Sequence, residues 1–143
     1  MYIDQLSVFI ENKPGRLAEI TKVLGENGIN IRALSIADTT DYGVLRLIAN
    51  DPQKAQKAIK DAGYTSSLTK VIAVGIDDSP GGISIPIGKL FECGVTVEYM
   101  YAFVLRNAGT AYVVFRVDDN EKAVACLKTN GFQILGSEEV GQM

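Results

Sequence analysis

The chain has 143 residues, of which 47% are hydrophobic and 22% charged, a balance typical of a globular protein and not of a disordered one. A net charge of −3 disfavours nucleic-acid binding, which depends on clustered positive charge. Histidine is absent, so any catalytic site would have to begin from carboxylates, lysine, serine or cysteine.

The sequence shows no targeting signal, because residues 1–15 are partly acidic and polar, and it contains no apolar run of about 18 residues. We therefore expect a cytoplasmic protein without a membrane partner. Two cysteines, Cys93 and Cys126, lie inside apolar patterns and lack CxxC spacing. We expect them to be reduced, buried thiols, neither joined in a disulfide nor bound to a metal.

In chain order, the first half reads as strand, helix, two strands, helix and strand. Residues 6–10 predict an apolar strand, and Pro14 suits the first turn of a helix that ends at Gly28. Residues 29–37 and 44–49 predict two strands joined by a turn at 39–43. Further predicted elements are a helix capped by Asp51, with Pro52 in its first turn and Gly63 at its end, and a fourth strand at 64–69.

The second half repeats this order. Pro14 pairs with Pro80 at an offset of 66 residues, and Asp51 pairs with Asp119 at an offset of 68. The later predicted elements are strands at 71–76, 95–105, 111–117 and from 132, and a helix at 119–130. Pro86 falls inside the early helix of this half. Either the helix kinks there, or Pro86 opens a shorter helix capped by Ser84 while Gly81 and Gly82 stay extended.

The order β-α-β-β-α-β is the split βαβ arrangement of ferredoxin-like folds. We therefore predict an α+β protein with two tandem ferredoxin-like units, at residues 1–70 and 71–143. Their antiparallel sheets should be adjacent, with the helices on one face.

Two motifs connect both halves to a known family. The first half carries Asn12-Lys13-Pro14-Gly15 and then Gly28-Ile29-Asn30-Ile31, and the second carries Asp78-Ser79-Pro80-Gly81 and then Gly94-Val95-Thr96-Val97. This order resembles the ACT domain family, with a good match in the first half and a partial one in the second. The resemblance covers essentially the whole chain. It implies two ACT-type units in a non-catalytic regulatory protein without an enzyme domain or a cofactor.

The resemblance also implies a ligand, a free amino acid held between the loop of one unit and the second strand of its neighbour. A loop that enters a helix offers unpaired N–H groups to a carboxylate, and Gly15 lets a ligand approach the backbone. Asn12 and Asn30 match amides that hold serine in related regulators, but Ile10 replaces their histidine, so serine itself is not implied. The predicted ligand-binding residues are Asn12, Pro14, Gly15, Arg16, Leu17, Asn30, Ile31, Asp78, Gly82, Ile83 and Thr96.

The charges around these motifs bear on the choice of ligand. Glu11, Asp77 and Asp78 border the predicted pocket, so a polar or basic amino acid is favoured over an acidic one. A second copy of the chain and a regulated enzyme are further candidate partners. Nucleic acids and membranes are not.

Plainer interpretations stay open. Asn12 can be a helix cap, Pro14 and Gly15 a turn, and Asn30 a polar residue beside a glycine. The chain would then be an adaptor that binds proteins without a ligand. A small enzyme resembling acylphosphatases is a further alternative, although the loop at Arg16 lacks their glycine-flanked form. The alternating residues Tyr99, Tyr101 and Phe103 resemble RNA-stacking side chains, but on an acidic chain we expect them to pack the sheet interface.

Overall fold

The computed structural model of the protein describes residues 1–38, 41–105 and 109–143. Helices and strands follow the predicted order twice. The first five elements are β1 (Ile3–Glu11), α1 (Arg16–Glu26), β2 (Ile31–Asp38), β3 (Tyr42–Ala49) and α2 (Pro52–Asp61). The next four are β4 (Thr65–Asp77), α3 (Ser84–Glu92), β5 (Val97–Ala102) and β6 (Thr110–Val117). The last three are α4 (Asn120–Thr129), β7 (Gln133–Leu135) and α5 (Ser137–Gln142).

The chain divides into two compact units. The N-terminal unit comprises Asp4–Thr69 with Val140–Met143, and the C-terminal unit comprises Lys70–Glu139 with Met1–Ile3. Each end of the chain therefore belongs to the unit that is built mainly from the other half of the sequence. Strand β4 contributes its first five residues to the N-terminal unit and its last eight to the C-terminal unit.

The N-terminal unit has the strand order β2-β3-β1-β4. Strands β1 and β3 are antiparallel with Leu6 opposite Leu47, and β2 and β3 are antiparallel with Leu34 opposite Leu47. Alternate residues of a strand share one face of the sheet. The alternate residues Leu6, Val8, Leu45 and Leu47 form one core with residues of α1 and α2, so both helices pack on that face of the sheet. Buried members of that core include Leu6, Val8, Ile20, Leu24, Leu45, Leu47, Ala55 and Ile59.

The C-terminal unit has the equivalent order β5-β6-β4-β7. Ile72 lies opposite Phe115 on β6, and Ala73 lies opposite Leu135 on β7. Its core again combines one face of the sheet with both helices, here α3 and α4. Buried members include Ile72, Val74, Leu90, Val113, Phe115, Ala123 and Leu127. Both units therefore have the ferredoxin-like βαββαβ arrangement, which confirms the predicted α+β tandem fold.

Local sequence signals set the helix ends. Asp51 and Asp119 cap α2 and α4, since each carboxylate accepts a hydrogen bond of 3.1 Å from the backbone N–H three residues later. Gly28 follows α1 with φ 71° and Gly63 follows α2 with φ 90°, backbone angles that favour glycine.

Three local predictions were wrong. Residues 64–69 and 71–76 form one continuous strand, β4, because no turn residue interrupts them. Tyr42 and Gly43 already belong to β3, while Thr39 and Thr40 of the predicted turn lie outside the described residues. The predicted strand 95–105 is shorter, spanning Val97–Ala102. Helix α5 was not predicted at all, since six residues carry too little periodicity.

The cysteine prediction was also wrong, because Cys93 and Cys126 form a disulfide. Cys93 ends α3 and Cys126 lies on α4. These helices pack side by side and place the two Cα atoms 6.3 Å apart, within the range that a disulfide spans. The 33-residue separation in sequence concealed this proximity.

Candidate functional site

The first predicted loop is an ordered turn between β1 and α1. The Asn12 N–H donates to the Asp41 carbonyl oxygen at 3.0 Å, and the Lys13 N–H donates to the Glu11 carbonyl oxygen at 2.8 Å. Gly15 has φ 83° and precedes the first helical residue, Arg16. Pro14 therefore lies before the helix and not in its first turn as predicted, because the left-handed glycine comes between them.

The amides at the start of α1 are unequally available. The Arg16 N–H donates to the Lys13 carbonyl oxygen at 3.3 Å, and the Glu19 N–H makes the first helical hydrogen bond, to Gly15, at 3.0 Å. The N–H groups of Leu17 and Ala18 lie between these two, where a helix has no partner of its own for them. A carboxylate at this loop would therefore meet the N–H groups of Leu17 and Ala18.

The structure excludes one plain interpretation of Asn12. Gly15, and not Asn12, is the N-cap residue of α1. A Cβ atom placed on Gly15 would meet nothing within 4 Å. Glycine is therefore required here for its backbone angle, and the space beside it is open.

A shallow cavity of about 190 Å³ lies against this loop. Three predicted ligand-binding residues, Asn12, Arg16 and Leu17, line it. The remaining lining residues are Ile10, Glu11, Lys13, Ile36 and Gly43. Pro14 and Gly15 shape the turn without lining the cavity.

Ion pairs set the charge around the cavity. Lys13 Nζ lies 2.7 Å from a Glu11 carboxylate oxygen, and this hydrogen bond and charge hold the pKa of Glu11 below its ordinary value. Arg16 meets Glu19 more loosely, with 3.8 Å between the nearest nitrogen and oxygen. Both cations are exposed, so each can also interact with a ligand carboxylate.

The second predicted loop is more closed. The Asp78 N–H donates to the Gly109 carbonyl oxygen at 3.1 Å, which repeats the Asn12 interaction. Gly82 is packed so tightly that a Cβ atom there would collide with the Asp77 carbonyl oxygen, and its N–H donates to Ser79 at 2.9 Å. Gly82 is therefore not extended and does not offer its amide to a ligand.

Pro86 further weakens this second loop as an anion site. Helix α3 begins at Ser84, whose hydroxyl donates to the Gly81 carbonyl oxygen at 2.6 Å. Pro86 lies in the first turn of this helix, where its missing N–H breaks no helical bond. The helix is short, but neither predicted alternative holds as stated, because α3 begins at Ser84 and not at Pro86, its N-cap is Ile83 and not Ser84, and Gly81 and Gly82 are not extended. Pro86 has no N–H, so the first turn of α3 offers one amide fewer than the first turn of α1. The side chain of Ile83 packs against the core of its unit and is partly buried.

The starts of the second strands share a contact that the sequence analysis missed. The Asn30 N–H donates to Asn50 Oδ1 at 2.9 Å, and the Asn50 N–H donates back to the Asn30 carbonyl oxygen at 3.0 Å. Thr96 and Asp118 repeat this exchange at 3.0 and 3.1 Å. The 68-residue spacing of Asn50 and Asp118, each just before a helix cap, was the available signal.

Within one unit, the two halves of the predicted site do not meet. In the N-terminal unit, Glu11 lies opposite Tyr42 at one end of β3, whereas Ile31 lies opposite Ala49 at the other. Seven residues of strand correspond to roughly 23 Å, which separates Asn12 from Asn30. Ile31 packs against the core of the same unit. The C-terminal unit has the same geometry, with Asp77 opposite Thr110 and Val97 opposite Val117.

Within 1–38, 41–105 and 109–143, no cluster of three or more potential metal ligands occurs. Among the helices of those ranges, none is long and apolar enough to cross a membrane.

Comparisons with known proteins agree with this fold. The profile of the family described as "ACT domain pair" matches residues 1–143. The crystal structure of protein BT0572 from Bacteroides thetaiotaomicron is 38% identical, with a TM-score of 0.93, and the match covers 100% of this chain and 98% of the other. Among curated proteins, none matches.

More distant structures share the fold alone. The regulatory subunit of aspartate kinase from Thermus thermophilus, in its ligand-free form, has a TM-score of 0.64 at 16% identity, over 90% of this chain and 92% of its own. The corresponding subunit from Thermus flavus has a TM-score of 0.60 at 17% identity, over 88% and 90%.

Proposed function

We propose, from the premise that this chain belongs to the family of ACT domain pairs, that it is a non-catalytic regulatory module that binds a free amino acid. An ACT domain pair is a regulatory type of domain. The proposal adds the chemical class of the ligand and the place where its main-chain groups are held.

One observation carries this proposal, the convergence of donors at the start of α1. The N–H groups of Leu17 and Ala18, for which the start of a helix provides no partner of its own, lie at the positive end of the helix, and Lys13 and Arg16 stand on either side of the turn. A carboxylate bound there would be held by backbone hydrogen bonds and two cations. The open space beside Gly15 gives it access.

The ammonium group of the ligand needs acceptors, and the side-chain oxygens of Asn12, Asn30 and Asp78 are the proposed ones. Since Asn12 and Asn30 lie at opposite ends of one unit, a complete site takes its second-strand residue from a second copy of the chain. The proposed role of Ile31, Gly82 and Ile83 is to fix the backbone conformation beside the ligand, without side-chain contact to it. Thr96 is the counterpart of Asn30.

The nearby charges favour a polar or basic ligand over an acidic one, because Glu11 and Asp78 would repel a second carboxylate. The regulatory subunits of aspartate kinase in the two Thermus species share this fold. By analogy, we propose that the module acts on a separate enzyme and transmits the concentration of its amino acid.

Calorimetric titration with each of the twenty amino acids tests this proposal. We expect at least one polar or basic amino acid to bind and Arg16→Gln to weaken it. Lys22→Gln is a matched control, because Lys22 pairs with Glu26 on the same helix at the same 3.8 Å as Arg16 with Glu19. Binding of none of the twenty, or equal weakening by both variants, would contradict the proposed site.

The adaptor alternative is favoured by one observation, the exposed apolar side chains of the C-terminal unit. Phe91 on α3 is 81% exposed, and Ile85 and Val104 are more than half exposed. If no amino acid binds, these exposed apolar side chains would instead form a protein–protein interface. Sedimentation of the wild type and of Phe91→Ser would then distinguish self-association from a monomer.

A further inference from the structure

A second cavity in the N-terminal unit differs in chemistry from the loop site. It measures about 630 Å³ and lies between α2 and the start of β4. Its lining consists of two lysines, two glutamines and three hydroxyl residues, namely Gln53, Gln56, Lys57, Lys60, Tyr64, Thr65 and Ser66. Among these residues none carries a carboxylate, although the whole chain has a net charge of −3. The cavity is therefore rich in donors within an acidic protein.

Part of this lining is already engaged. Lys57 Nζ lies 2.7 Å from an Asp61 carboxylate oxygen, and this hydrogen bond raises the pKa of Lys57. The Gln53 amide donates to Asp4 Oδ2 at 3.3 Å. Both interactions are on the exposed surface, where an ion pair is easily exchanged for another anion.

Tyr64 supplies an unused donor. Its hydroxyl is buried and, within the residues that the structure describes, makes no hydrogen bond of good geometry, although the Glu19 and Arg16 side chains lie beside it. Burial raises the pKa of the phenol, the nearby Glu19 carboxylate raises it further and Arg16 lowers it, so the hydroxyl remains protonated. A buried donor without an acceptor is unfavourable, and an oxygen atom of a ligand in the cavity would satisfy it.

The internal repeat shows that the fold does not require this polar surface. At the equivalent positions 68 residues later, the C-terminal unit has Glu121, Val124, Ala125, Lys128, Phe132, Gln133 and Ile134. Val124 and Phe132 pack against the core of that unit. Two copies of one architecture thus differ here: Tyr64 and Phe132 both pack against the core of their unit, but the donors at Gln56 and Lys57 and the Tyr64 hydroxyl are not required by the shared fold.

From these observations we propose that the cavity binds an anionic small molecule that carries phosphate or clustered carboxylate groups. Lys57 and Lys60, one helical turn apart on α2, contact its charges, and the Tyr64 hydroxyl donates to one of its oxygen atoms. This cavity is distinct from the loop cavity at α1, although Tyr64 lies beside Arg16 of that cavity, and its ligand is a second input to the module.

Titration calorimetry with pyrophosphate and with citrate tests the proposal. We expect one of the two to bind, and tighter binding of pyrophosphate assigns phosphate chemistry while tighter binding of citrate assigns carboxylate chemistry. Lys60→Gln and Tyr64→Phe should each weaken binding about tenfold. Both variants should fold, because Lys60 is exposed and a phenylalanine already occupies the equivalent position 132.

Lys128→Gln is the matched control, because Lys128 is the equivalent of Lys60 on α4 and should leave the affinity unchanged. A loss with Lys128→Gln equal to that with Lys60→Gln would overturn the proposal, since it would indicate nonspecific charge attraction. Absence of binding of both probes at millimolar concentration would overturn it as well. Amino-acid binding should be unaffected by Lys60→Gln, so the two proposals fail independently.

Discussion

Asn30 and Asn50 exchange two hydrogen bonds, one from the Asn30 N–H to Asn50 Oδ1 at 2.9 Å and one from the Asn50 N–H to the Asn30 carbonyl oxygen at 3.0 Å. The backbone of Asn30 is fixed by this exchange, while its own side chain remains exposed and available. Replacing Asn30 should therefore affect mainly ligand binding, whereas replacing Asn50 should affect mainly the stability of the fold.

Asn30→Ala should weaken amino-acid binding roughly 10- to 150-fold, the equivalent of a lost hydrogen bond to a charged group of about 1.5–3 kcal/mol. Its free energy of unfolding should change by less than about 0.5 kcal/mol. Asn50→Ala should instead lower the free energy of unfolding by about 1 kcal/mol, because it removes the acceptor for the Asn30 N–H. Calorimetry and urea denaturation measure the two effects. Unchanged affinity in Asn30→Ala would remove Asn30 from the site.

The glycines of the two loops should tolerate alanine differently. Gly15→Ala should cost about 1–2 kcal/mol in unfolding free energy, because φ is 83° although the space is open. Gly82→Ala should cost more, since its Cβ would collide with the Asp77 carbonyl oxygen. Gly25→Ala, inside α1 with nothing within 4 Å, should stabilise the protein by roughly 0.5–1 kcal/mol. Urea denaturation should reproduce this order, and a stabilising Gly15→Ala would contradict the left-handed turn.

Much of the fold was predictable from local signals. The caps Asp51 and Asp119 and the glycine stops Gly28 and Gly63 mark helix ends that depend only on neighbouring residues. The missed features depend on long-range packing. Nothing near Cys93 in the sequence indicates that α4 will bring Cys126 beside it. The candidate site was predictable only in part for the same reason, since Asn12 can be identified from its motif but Asn50 acts through Asn30, which lies 20 residues away in the chain.

The disulfide between Cys93 and Cys126 should stabilise the protein measurably. Closing a loop with a sequence separation of 33 restricts the unfolded chain, and reduction should cost about 2–4 kcal/mol. Guanidinium unfolding with and without a reductant measures this difference. The double variant Cys93→Ser, Cys126→Ser should show the lower stability and no response to the reductant. Identical unfolding curves for the oxidised and reduced wild type would exclude a formed bond.

Arg32 should hold the C-terminal segment in place. Its buried guanidinium donates to the carbonyl oxygens of Val140 and Gly141 at 3.1 and 2.9 Å. Arg32→Ala leaves those oxygens without this donor and should lower the free energy of unfolding by about 1–3 kcal/mol. Hydrogen exchange should accelerate at Val140–Met143, while Arg116→Ala, a partly buried arginine of the C-terminal unit, serves as the control. Equal protection of the segment in wild type and Arg32→Ala would contradict this role.

The most direct test of the amino-acid site is an NMR titration of ¹⁵N-labelled protein with the amino acid that binds best in calorimetry. The backbone N–H groups of Leu17 and Ala18 should show the largest saturable shifts, because they are proposed to hold the ligand carboxylate. Shifts confined to other parts of the chain, with Leu17 and Ala18 unaffected at saturation, would contradict the account.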